Sequence, residues 1–184
     1  MKKTVLTFGL ISGGILSVMM LATLPFLDTI GFGRSEVIGY ATMVLAFLLV
    51  FFGIRSYREN VGGGEVGFGR AFAVGTLIVI VASLCYTATW QVIYYKITPD
   101  FSAKYSAYVV DQARKSGASQ AAIDAKTAEM KEFAKMYENP LMNAAITMLE
   151  PLPVGIVIAL VSAGVLRRKR RDGSAVLAGS ASAA

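Results

Sequence analysis

The sequence predicts an all-α polytopic membrane protein, with four transmembrane helices and an extracytoplasmic helical hairpin between the third and fourth. Two observations carry this. Three runs, Val5 to Leu27, Val37 to Ile54 and Ala71 to Tyr95, contain no charge, and a fourth, Leu141 to Leu166, contains only Glu150. A hydrocarbon core about 30 Å thick needs roughly 20 apolar residues at about 1.5 Å rise each, and these runs supply that length. Composition agrees: 55% of residues are hydrophobic and 16% charged, with a mean hydropathy of +0.58. That is more apolar surface than one small core hides. The predicted unit is a single membrane domain over residues 1–171, with spans at about 5–27, 35–54, 71–95 and 143–166 and an outer segment at about 99–138. A cytoplasmic tail of alanine, serine and glycine at 172–184 is expected to be disordered.

The first run follows Lys2 and Lys3, as a secretory signal would. It outlasts the 7 to 15 residues of a typical signal core, and no small-x-small cleavage site precedes Asp28, so it is read as a retained helix. Gly9 and Gly13 stand four apart in it, and Gly155, Ala159 and Ala163 repeat that spacing in the fourth run. Small residues so placed let helices approach in lipid, which pairs the first helix with the fourth. After the second run, Gly62, Gly64 and Gly67 match the dinucleotide spacing G-x-G-x-x-G. That motif needs a strand before it and a helix after it; behind a membrane helix the glycines are read as a turning connection. Tyr86, Trp90 and Tyr94 end the third run at four-residue spacing, which suggests an aromatic belt at headgroup depth rather than a ligand cage.

Between Pro99 and Pro140 the pattern becomes amphipathic. Ser102 to Lys115 predicts one helix, Gly117 a break and Ser119 to Glu138 a second helix. Ile123, Met130, Phe133 and Tyr137 form an apolar stripe on the second. Two readings stand for it: it packs on the outer mouth of the bundle, or it is a face for an envelope protein docking through residues 100–138. Glu150 is the most informative single residue. A carboxylate inside a span costs about 2.5 to 3.5 kcal/mol unless paired, protonated or hydrated. Pro151 and Pro153 follow it. Either the span begins near Glu150, leaving it at the outer interface, or Glu150 is a proton or cation site facing the bundle interior.

Basic residues set the orientation. Lys2, Lys3, Arg55, Arg58, Arg70 and the run Arg167, Arg168, Lys169, Arg170 and Arg171 fall on one side, against Arg34 alone in the short outer turn. Both termini are therefore expected in the cytoplasm. The net charge of +6 is explained by this flank, so no nucleic-acid partner is expected. Arg55, Arg58, Arg70 and the terminal cluster are candidate contacts for anionic lipid. With no histidine and one cysteine, Cys85, the chain offers no metal site, disulfide framework or obvious cofactor site.

The segment Phe52-Gly53-Ile54-Arg55-Ser56-Tyr57-Arg58-Glu59, the glycines after it, Phe68-Gly69-Arg70-Ala71-Phe72 and Gly75 resemble domain-of-unknown-function family 4199. Glu150-Pro151-Leu152-Pro153-Val154-Gly155 and the terminal basic residues are similar to it as well. The resemblance implies a small protein of the bacterial inner membrane with about four helices; it implies no activity. It also implies that Arg55, Tyr57, Arg58, Phe68 and Gly75 form the family's inner loop. The expected function is a non-enzymatic interaction or scaffold protein contacting membrane lipids, with homo-oligomerisation left open. The alternative is a small transporter or ion-pathway subunit using Glu150.

Overall fold

The computed structural model describes residues 1–168 and is helical from end to end. Helix α1 (Lys2–Thr23) passes through a 3₁₀ turn at Leu24–Phe26, set by Pro25, into the short α2 (Leu27–Ile30). Gly31 turns the chain at φ 80°, where any Cβ would be strained, and α3 (Phe32–Asn60) runs back. The glycine loop reverses it again: Gly63 and Gly64 have φ 63° and 89°, and a Cβ at Gly62 would collide with the Glu65 carbonyl. The turn requires glycine at Gly62, Gly63 and Gly64, which accounts for those glycines without a nucleotide.

α4 (Phe68–Val92) continues through a π-helical turn, Ile93–Ile97, in which the Thr98 amide bonds to the Ile93 carbonyl at 2.8 Å. α5 (Phe101–Lys115) and α6 (Gln120–Glu138) pack together as a hairpin around Gly117, which has φ 75°. Ser119 caps α6 by accepting from the Ala122 amide, and Asn139 caps α7 (Pro140–Leu149) by accepting from Leu141 and Met142. α8 (Pro151–Leu166) completes the bundle. Four continuous stretches, Lys2–Ile30, Phe32–Asn60, Phe68–Ile97 and Pro140–Leu166, are long and apolar enough to cross a membrane.

α4 is the most enclosed helix and touches α1, α3, α7 and α8. Phe47, Val50, Ile54, Val74, Ile78 and Val79 are fully buried around it. Both small-residue faces dock on it. A Cβ at Gly13 would lie 2.6 Å from Cys85 Cβ, and one at Gly9 would lie 2.7 Å from Val81 Cβ. On another side of α4, Gly75 opposes Ala159 and Gly155 faces Val79. The expected pairing of the first helix with the fourth is thus corrected: each uses its small residues on the third, because the most apolar-enclosed helix offers backbone approach on more than one side. Cys85 is a small packing residue there. Outward, Leu45, Val161 and Val165 are 66, 59 and 68% exposed, a surface suited to lipid and not to water.

The two ends of the bundle differ in charge. Lys2, Lys3, Arg55, Arg58, Arg70, Arg167 and Arg168 gather at one end, where the Val66 and Arg168 backbones pair antiparallel at 3.2 and 2.9 Å. The α5–α6 hairpin occupies the other. Lys169, Arg170, Arg171 and the 172–184 tail lie outside the described residues.

Candidate functional site

At the hairpin end, the aromatics of α4 turn inward. Trp90 meets Phe101 edge to face at 4.8 Å, Tyr94 meets Tyr137 at 5.3 Å, and Tyr94 shares a 2.8 Å hydrogen bond with Ser102. Phe32, at the start of α3, stands 5.6 Å from both Phe101 and Tyr105. The expected belt at headgroup depth is therefore corrected for Trp90 and Tyr94: the hairpin folds back over this end of α4 and supplies the polar and aromatic partners that interfacial water would otherwise supply.

A buried polar chain fixes that cover. The Trp90 indole N–H donates to Tyr137 Oη at 3.0 Å, and Tyr137 and Thr147 share a bond of 3.1 Å. Thr147 donates to Asn143 Oδ1 at 3.4 Å, so Tyr137 must donate to Thr147. Asn143 Oδ1 also accepts from Gln91 at 2.9 Å, while its Nδ2 donates to the Tyr137 carbonyl at 3.3 Å. Asn143 has no exposed surface and is satisfied on both of its amide atoms. One residue thus joins α4, α6 and α7. Burial raises the Tyr137 and Tyr105 phenols above their ordinary values.

Glu150 sits at the joint between α7 and α8. A proline-marked helix does start beside Glu150, at Pro151, and the ten residues of α7, capped by Asn139, precede it in the same apolar stretch. Pro151 and Pro153 remove two backbone donors there, and the Glu150 amide reaches only the Thr147 carbonyl, at 3.4 Å. Glu150 lies about 24 Å along the helix from Leu166, and Tyr86 about 24 Å from Arg70. Sharing that level, Tyr86 Oη donates to Glu150 Oε2 at 2.9 Å. Tyr86 was legible as an aromatic but not as the carboxylate's partner, since the two are 64 positions apart.

The joint opens on a cavity of about 400 Å³ between α1, α3, α4 and the hairpin. Its wall includes Glu150 and a second carboxylate, Glu36, with Trp90, Phe101, Tyr105 and Phe133 and the soft side chains of Met19 and Met20. Among the described residues, no lysine or arginine lines it. Ser35 lines it too, and its buried hydroxyl has no hydrogen-bond partner within the protein. Glu36 escaped the sequence reading because it precedes the second apolar run, in what reads as a loop; in the structure α3 begins four residues earlier. Among the described residues, no three acidic or cysteine side chains come together in a metal-binding group.

The remaining candidate residues separate. Ile123, Met130 and Tyr137 are each 8% exposed, and Phe133 lines the cavity and stacks on Tyr137 at 5.1 Å. As a partner face these four are corrected: the chain covers its own stripe, because that area would otherwise stay in water. The opposite face of α6 pairs its own charges, Lys126 with Glu129 and Lys135 with Glu132, both at 2.8 Å. At the basic end, Arg55 and Arg58 share Glu59, at 2.9 and 3.2 Å, and Arg58 donates to the Leu166 carbonyl at 3.4 Å. Arg70 and Arg168 face a separate hollow beneath the glycine loop. Arg58 ties the end of α3 to the end of α8, and none of these four arginines lines the cavity.

Four long apolar helices and an apolar outer surface define a multi-pass helical membrane protein. The sequence profile of the family described as Protein of unknown function (DUF4199) matches residues 7–168, so the chain belongs to that family. Neither curated proteins nor solved structures give a match.

Proposed function

We propose that this protein is a small membrane transporter or ion-pathway component whose working site is the cavity beside Glu150. One observation carries the reading: a carboxylate at the joint of α7 and α8, held by a single tyrosine, opens into a cavity large enough for a ligand instead of being neutralised by a basic partner. Ligand sites typically measure about 300 to 1,000 Å³. An unpaired intramembrane carboxylate costs free energy that a merely structural bundle has no reason to bear. The scaffold reading loses its main support once the stripe on α6 is occupied within the chain.

The proposal includes sidedness. The seven basic residues at one end favour the cytoplasm of a bacterial inner membrane, which puts both ends of the described chain inside and the hairpin, with the cavity, toward the outside. Proteoliposomes loaded with a pH-sensitive dye test the function. Flux above that of empty vesicles, reduced at least tenfold by Glu150→Gln, is the expected result. Flux that is absent, or indifferent to Glu150→Gln, overturns it.

A further inference from the structure

We infer that the cavity's ligand is an amphiphilic organic cation, an ammonium group carrying apolar substituents. This rests on the preceding reading that the cavity is a ligand site, and adds the chemistry of what enters. Two independent features point the same way. Both charged side chains on the wall, Glu36 and Glu150, are carboxylates, and among the described residues no lysine or arginine lines the cavity. An anion entering there meets repulsion in a medium of low dielectric; a neutral molecule leaves Glu150 with Tyr86 alone.

Much of the rest of the wall is aromatic. Ring faces carry negative charge density and attract ammonium groups by about 0.5 to 2 kcal/mol each, the larger figure where water is excluded. Trp90, Phe101, Tyr105 and Phe133 come from three elements, α4, α5 and α6, and form the wall on the hairpin side. Met19 and Met20 add adaptable apolar surface suited to alkyl or aryl substituents of varied shape. A strongly hydrated inorganic cation would gain from the carboxylates but would lose its water against the rings. A cation whose charge is wrapped in methyl groups gains from both.

Trp90 is the chain's one tryptophan and stands in the cavity wall, so its emission reports occupancy without a label. The full chain, reconstituted in vesicles of zwitterionic lipid, is titrated with decyltrimethylammonium, with its neutral isostere bearing carbon in place of nitrogen, and with decyl sulfate. Protein-free vesicles and Trp90→Phe correct for partition into lipid. Expected are a saturable emission change with the cation, at least tenfold weaker binding of the neutral isostere, and no saturable change with the sulfate. Glu150→Gln combined with Glu36→Gln should abolish the preference for cation over isostere. Equal binding of cation and isostere to the native chain sinks the cation assignment and leaves the cavity as a ligand site; this comparison needs no variant to fold. Absence of saturable change with all three compounds sinks the assignment and the binding site beneath it.

Discussion

The two halves of this bundle are held together by different physics. Toward the basic end, α3, α4 and α8 meet through Gly75, Gly155 and Ala159 against Val50, Ile54 and Val79, with Phe47 and Ile78 fully buried. Toward the hairpin end, contacts run through hydroxyls, amides and rings around a 400 Å³ cavity. The first half resists change in volume; the second resists loss of hydrogen bonds. The same helix, α4, takes part in both, and its Gly75 and Val79 give way to Tyr86, Trp90 and Gln91 along its length.

The largest test of this contrast is Gly155→Val. Its Cβ would collide with Val79 and come 3.2 Å from Phe47 Cε2, and overpacking of a dense core costs about 1 to 3 kcal/mol. A loss near the upper end is expected in reversible unfolding from mixed detergent micelles. A variant as stable as the native chain would mean that the basic-end half is looser than its distances imply. Next comes Asn143→Ala, which strands the Gln91 amide, the Thr147 hydroxyl and the Tyr137 carbonyl. Each stranded buried group costs about 1 to 3 kcal/mol, reduced where water enters, and about 2 kcal/mol in total is expected by the same unfolding measurement. Faster proteolysis of the α5–α6 segment should accompany it, since Asn143 joins α6 to α4.

A smaller effect sharpens the comparison within one helix. Gly13→Ala places a methyl 2.6 Å from Cys85 Cβ, whereas Gly14→Ala meets nothing within 4 Å. The first should cost about 1 kcal/mol and the second nothing measurable, judged by thermal melting of the two variants in parallel. The smallest stability effect belongs to Tyr86→Phe, which removes one hydrogen bond facing an open cavity and should cost under about 1 kcal/mol. Its consequence is functional: flux and cation binding should fall while the melting temperature barely moves. A large drop in stability instead would identify the Tyr86–Glu150 pair as a structural fastening.

Four spans were readable because length and lack of charge answer directly to a bilayer, and the family was readable in Phe52 to Gly75. The packing partners were not. Gly9 and Gly13 announce a close approach yet say nothing of the residue approached, so Val81 and Cys85 were invisible until α4 took its central place. The stripe Ile123, Met130, Phe133 and Tyr137 was legible as apolar, but a stripe reads the same whether its cover is the chain or a partner. Glu150 was recognised as costly; Glu36, Tyr86 and Ser35, which give its surroundings chemical character, are set by neighbours distant in sequence. Asn143 was the missed signal within reach. It is a lone amide in an apolar run, and lipid demands that such a group find a partner.

The paired prolines after Glu150 carry a mechanical consequence. A helical rod stiffens through its ladder of amide bonds, and here two rungs are missing at one level, with Glu150 at the gap. Compliance therefore concentrates at the carboxylate. Any bending of the last span pivots at that residue and loads the bonds by which Asn143 ties α7 to α4 and to the hairpin.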